Sequence, residues 1–176
     1  PQGHQGTVNS LCFSPDGRIL ASGSWDGDVL LWDLHSRSVE SAIRGNGSRI
    51  GSVTFSPSGN VLAYGGDEGV LHLLDPKGNH REYRPEGKGA PINTVCYSPG
   101  GHYIAYGCND GSLHLVDSET CVEIVRTDRP DDPIDSLCFC DNEDTAIGTH
   151  NGSARLPHFI HVRKQSDVWL EDLSEA

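Results

Sequence analysis

The sequence predicts an all-β fold: about four copies of one four-stranded antiparallel unit, stacked radially so that each covers its neighbour. Three observations carry this. Phe13-Ser14-Pro15 recurs as Phe55-Ser56-Pro57 and Tyr97-Ser98-Pro99, 42 residues apart each time, and one further step lands on Phe139-Cys140-Asp141. Short apolar runs alternate with turn sequences about every ten residues, which is the pattern of an all-β chain. Finally, each unit has more apolar positions than it can cover by itself, so it needs a neighbour on its open face. A linear β-solenoid would use shorter rungs than 42 residues.

The first unit sets the pattern. Val8 to Phe13 alternates as a strand, and Ser14-Pro15-Asp16-Gly17 follows as a turn, with Pro presetting φ and Gly supplying the left-handed position. Ile19 to Ser22 is a second strand. Trp25-Asp26-Gly27 suits a tight hairpin, Val29 to Trp32 is a third strand, and Val39 to Ile43 a fourth. Steps of 42 carry Gly23 to Gly65 and Gly107, Gly27 to Gly69 and Gly111, and Trp32-Asp33 to Leu74-Asp75 and Val116-Asp117. The units run over about 4–45, 46–87, 88–129 and 130–157. The fourth starts near Ile134, loses one residue before Gly148, and ends where Pro157 stops the ladder. In the tail, 158–176, Phe159 to Arg163 reads as a last strand. Ser166 to Leu173 reads as a short helix capped by Ser166, with Trp169, Leu170 and Leu173 on one side: either a frayed end or a cover for an open sheet edge.

Composition narrows the function. Thirteen Lys and Arg stand against 25 Asp and Glu, a formal net charge of −12. This disfavours direct nucleic-acid contact, because counterion release needs clustered cations. No apolar run nears the roughly 20 residues that cross a bilayer, and none follows a basic N-terminus as in a signal peptide, so no membrane role is expected. The six cysteines, Cys12, Cys96, Cys108, Cys121, Cys138 and Cys140, form no C-x-x-C pair, and three of them share one repeat position. They are read as reduced, in a cytoplasmic or nuclear protein. Asn46-Gly47-Ser48 and Asn151-Gly152-Ser153 are read as turns.

The string from Gly3-His4 through Ser14-Pro15-Asp16-Gly17 and Asp26-Gly27 to Trp32-Asp33 resembles a WD-repeat β-propeller blade, and the likeness extends over about residues 3 to 156. The resemblance implies a hydrogen-bonded chain of His4, Ser22, Asp26 and Trp32. Later units depart from it. Tyr64 and Tyr106 stand at the Ser position, Glu68, Asp110 and Asn151 at the Asp position, and Leu74, Val116 and Pro157 at the Trp position. Neither the second nor the third unit has Gly-His at the position of Gly3-His4. The polar chain is therefore expected once, with the other blades resting on apolar packing and backbone pairing. Propellers close with about four to eight blades, and the family most often uses seven. Four units are accordingly read as an incomplete ring, closed by further blades or a second copy, with a truncated self-associating product and a complete small ring as alternatives.

Little points to catalysis. The run from Gly45 to Gly51 lacks the Lys-Ser/Thr of a phosphate loop, and no G-x-S-x-G elbow occurs. Propeller enzymes gather polar residues on their first strands; here those are only Asn9, Ser10, Ser52, Thr54, Asn93, Thr94, Asp135 and Ser136. His72 and His114 share a Leu-His-Leu context but no further ligand lies at matching spacing, so they are read as outward-facing, with no metal and no cofactor expected. Asp128, Asp131, Asp132, Asp135, Asp141, Glu143 and Asp144 lack calcium-loop spacing and suggest an acidic rim that steers a basic partner. Partner-binding candidates are the loop residues Trp25, Asp67, Asn109 and His150 at equivalent positions, with Arg49 from a loop leading into a first strand (Pro91 and Pro133 are its counterparts). The expected function is a non-enzymatic scaffold or adaptor that recruits a protein or peptide through the rim. The alternatives are a chromatin or ribonucleoprotein-associated factor, or a substrate receptor of a ubiquitin ligase. His35 stands where the last role usually wants Arg.

Overall fold

The computed structural model describes residues 3–44, 47–75, 78–85, 89–127, 133–140, 145–150, 158–163 and 167–171, with the backbone alone from residue 140 onward. Among these there are sixteen strands and no helix, hence no helix long and apolar enough to cross a membrane. The strands form four sheets, each of four antiparallel strands in chain order. The chain divides into two compact units, 1–92 and 93–176.

In the first unit, β1 (Val8–Phe13), β2 (Ile19–Ser24), β3 (Val29–Asp33) and β4 (Ser38–Ile43) make one blade. A second blade comprises β5 (Ile50–Phe55), β6 (Leu62–Gly66), β7 (Leu71–Leu74) and β8 (His80–Tyr83). The Ser-Pro turn works as its residues dictate: Gly17 takes φ 69° and its N–H returns to Ser14 O at 2.8 Å. The same closure recurs from Gly59 to Ser56.

The two blades of this unit pack face to face. Ala21 and Val29 of the first meet Ile50, Val53, Leu62 and Tyr64 of the second in one buried cluster. Gly23 explains its own recurrence, because a Cβ there would stand 2.6 Å from Ile50 Cγ2 and 2.8 Å from Val53 Cγ1. The first strand of each blade is a sheet edge, and an edge left bare wastes hydrogen bonds. Side chains of β1 serve the edge of β5: Val53 N–H donates to Ser10 Oγ (3.0 Å), Phe55 N–H to Cys12 Sγ (3.4 Å), and Asn9 Nδ2 to Gly51 O (2.6 Å). A cysteine at that repeat position is therefore a compact acceptor as well as filler.

The second unit holds the sheet of β9 (Ile92–Tyr97, beginning at the boundary), β10 (Tyr103–Cys108), β11 (Leu113–Asp117) and β12 (Glu123–Thr127). Beyond it lie β13 (Ile134–Cys140), β14 (Thr145–His150), β15 (His158–Arg163) and β16 (Asp167–Glu171). Ala105, Leu113, Leu115, Ile134 and Leu137 form its core, and a Cβ on Gly107 would lie 2.4 Å from Ile134 Cγ2.

The last blade corrects two expectations. The segment read as a short helix is strand β16, paired with β15 from Phe159↔Glu171 to Arg163↔Asp167. In addition, β15 pairs with β14 and is the third strand, so this blade extends past residue 157 to Glu171. Eight residues, Ser166 to Leu173, are too few for a stable isolated helix, whereas pairing satisfies the backbone groups of β16 and completes the sheet. Pro157, Asn151, the Asn151-Gly152-Ser153 turn, Asn46 and the acidic residues 128, 131, 132, 141, 143 and 144 lie outside the described residues, as do the side chains of Trp169 and Leu170.

Candidate functional site

The first blade contains a closed polar chain. His4 Nδ1 lies 3.1 Å from Asp26 Oδ2, so that nitrogen carries the proton; Nε2 then accepts from the Ser22 hydroxyl at 2.7 Å. Trp32 Nε1–H donates to the same Ser22 Oγ at 2.8 Å. Asp26 also receives the N–H groups of Gln5 (2.6 Å) and Gly6 (3.2 Å), which ties the segment before β1 onto the β2–β3 turn. Burial pushes the Asp26 carboxyl up, but the N–H groups of Asp28, Gln5 and Gly6 and the Ser24 side chain outweigh it and leave its pKa lowered to about 2. A carboxylate held ionised in this way is a permanent acceptor for the imidazole.

The next two blades do not rest on apolar packing alone, contrary to expectation. His72 and His114 are buried, not outward-facing, and each stacks on the Tyr in the preceding strand: Tyr64 with His72 at 4.7 Å between centroids, Tyr106 with His114 at 4.5 Å. In the second blade His72 Nε2–H reaches Glu68 Oε2 (3.3 Å), while Nδ1 faces His80 Nε2 (3.0 Å). In the third, His114 lies between Glu123 Oε1 (2.5 Å) and Ser112 Oγ (2.9 Å), and the Ser112 hydroxyl donates to Asp110 (2.6 Å). Each of these three blades thus couples an imidazole to the carboxylate of its β2–β3-type turn: Asp26, Glu68 or, through Ser112, Asp110. The third row has the composition of a hydrolytic triad, but Ser112 is 2% exposed and its proton is committed to Asp110. It offers no nucleophile to solvent.

Three of the five rim candidates come together. Trp25, on the β2–β3 turn, is 47% exposed, and Arg49 Cζ lies over its ring at 4.7 Å from the centroid. Arg49 Nε is 3.9 Å from Asp67 Oδ2 on the equivalent turn of the second blade. The backbone explains this placement. Trp25 N–H bonds Thr7 O and Asp67 N–H bonds Arg49 O, so each turn is tied to the loop leading into its own first strand. Arg49 then reaches from one blade's loop over the neighbouring blade's turn. All three side chains are solvent-facing, so the charge pair adds little stability. Asn109 is exposed on the β10–β11 turn of the second unit, and His150 ends β14, where only the backbone is described.

A separate surface stands out on the first blade. Leu11 and Phe13 on β1 are each 61% exposed, while Val53, the repeat-equivalent of Leu11, is 3% exposed. The face that β5 buries against the first blade is the face β1 turns to water.

Comparison with known proteins agrees with this architecture. A family model described as "WD domain, G-beta repeat" matches residues 1–33, 37–75 and 81–117, more than half of the chain. Each match ends on the Asp at the end of a third strand or just after it: Asp33 and Asp117 close β3 and β11, and Asp75 follows β7. Periodic tryptophan protein 2 homolog of Schizosaccharomyces pombe is 58% identical over 36 residues, 20% of this chain and 4% of the relative. The Mus musculus protein of the same name is 59% identical over 32 residues, 18% of this chain and 4% of the relative. Small ribosomal subunit protein RACK1 of Caenorhabditis elegans is 46% identical over 44 residues, 25% of this chain and 14% of the relative. The matched part of the chain is therefore a small fraction of each relative's length.

Proposed function

The chain belongs to the WD-repeat family, and on that ground we propose that it is a non-enzymatic scaffold segment recruiting a protein or peptide through the rim at Trp25, Arg49 and Asp67. The observation that carries this reading is the Arg49–Trp25 stack: the two side-chain types richest in binding energy at interfaces lie together, exposed, on loops held by a rigid sheet. The carboxylate excess of the whole chain favours a partner segment with basic residues. Closure of the blade series by further blades or a second copy, and a cytoplasmic or nuclear setting, belong to the same proposal. The described cysteines form no disulfide with one another, which suits the same setting.

Photo-crosslinking tests the rim. A photoreactive residue at position 25 captures the partner. The same group at position 16, on the turn at the opposite end of the sheet, does not. Equal capture at both positions overturns the assignment. A ribonucleoprotein setting is the second reading, favoured by the likeness to a small ribosomal subunit protein. Under it the crosslinked partner is a protein of such a particle, and capture survives nuclease.

A further inference from the structure

We propose that His72, His80 and Glu82 form a divalent-metal site of the zinc class on the second blade. β7 and β8 pair with His72 directly opposite Glu82, and His80 lies two residues before Glu82 on the same face of β8. The register thus delivers two imidazoles and a carboxylate to one patch. Repeat spacing hides the other two donors, His80 and Glu82, because both come from the outermost strand, β8.

The donor atoms converge. His72 Nδ1 is 3.0 Å from His80 Nε2 and 3.6 Å from Glu82 Oε1, and the three ligand atoms lie within 4.8 Å of one another. Tetrahedral zinc with bonds of about 2.0–2.1 Å sets its ligand atoms about 3.3–3.4 Å apart, and the two distances from Nδ1 straddle that spacing. His80 and Glu82 are exposed, so side-chain rotation is available to close the remaining gap.

Outer partners orient two of the donors as metal ligands need. Glu68 takes the Nε2 proton of His72, which leaves Nδ1 as the lone-pair nitrogen. Arg84 holds Glu82 Oε2 at 2.7 Å, which leaves Oε1 turned toward His72. All three donors line a cavity of about 310 Å³ in the first unit, with room for a water as fourth ligand. Without an ion His80 Nε2–H donates to His72 Nδ1; for Nε2 to ligate a metal, that proton moves to His80 Nδ1, the other tautomer of the same neutral ring. Two nitrogens and one oxygen suit zinc better than magnesium or calcium. Opposite Leu30 in the first blade stands Ala42, and opposite His114 in the third stands Arg126, so neither repeats the set.

Zinc titration by calorimetry and cobalt titration by visible absorption test this on the whole chain at neutral pH. The expected result is one saturable equivalent, a tetrahedral cobalt band, and no thiolate-to-cobalt absorption in the near ultraviolet. His80→Ala and Glu82→Gln each weaken binding by roughly tenfold or more, while His114→Ala leaves it unchanged. Should His80→Ala fail to fold by circular dichroism, Glu82→Gln alone decides. No saturable equivalent, binding indifferent to these substitutions, or a thiolate band overturns the proposal.

Discussion

Gly23 and Ile50 meet across the junction of the first two blades with no room for a side chain between them: a Cβ on Gly23 would lie 2.6 Å from Ile50 Cγ2. Replacing Gly23 by Val should therefore force the blades apart and cost about 1–3 kcal/mol, the usual price of overpacking. Urea denaturation measures it. An unchanged midpoint would mean that the blades do not stack on this face.

Asp26 anchors the first polar chain. Its folded pKa of about 2 lies below the unfolded value of about 3.9, so its contribution is complete above the unfolded value and is lost as pH falls through the folded one. Asp26→Asn should destabilise the chain by about 1–3 kcal/mol at neutral pH and flatten the acid limb between about pH 4 and 2. Trp32→Phe, which removes only the indole donor to Ser22, should cost about 0.5–1.5 kcal/mol.

His72 and His114 are buried with lowered pKa values; burial is the leading cause for both. His80 adds to it for His72, while Glu123 opposes it for His114. The unfolded chain, with a histidine value of about 6.5, binds the extra protons first as pH falls, so stability present above that value is lost on acidification below it. Thermal midpoints should drop between about pH 8 and pH 5. His114→Leu, which installs the residue type of Leu30, should shallow that slope. A slope unchanged by the substitution contradicts the assignment.

Leu11 and Phe13 give the isolated chain an apolar face matching the one β5 buries. Light scattering should show association that rises with protein concentration and is reduced in Leu11→Asp/Phe13→Ser. A monomer at all concentrations would show that this face is tolerated in water.

The blades were legible because their turns are: Ser14-Pro15-Asp16-Gly17 and Asp26-Gly27 fix chain direction locally, and the 42-residue step copies them. The His4–Ser22–Asp26–Trp32 chain does not repeat along the sequence; it was implied only by the resemblance of the first unit to a WD blade, and the hydrogen bonds run through those four residues. The rows built on His72 and His114 were not. Their burial depends on Tyr64 and Tyr106 one strand away and on partners such as His80 and Glu123 that keep no common spacing. β16 was missed for a related reason: a short apolar run becomes a strand through the neighbour it pairs with, here β15, after the repeat has lost its phase. The Arg49–Trp25 stack joins loops of adjacent blades, and nothing within either loop announces the other.

Quantitative affinity capture from a cell extract, wild type against Trp25→Ala/Arg49→Ala, tests the scaffold reading most directly. Both side chains are exposed and outside the polar chains, so the variant should keep wild-type stability and circular dichroism. The account predicts a set of bound proteins that falls by about tenfold or more with the variant, as loss of a hot spot of about 2 kcal/mol would give. An identical set of proteins at identical recovery would contradict it.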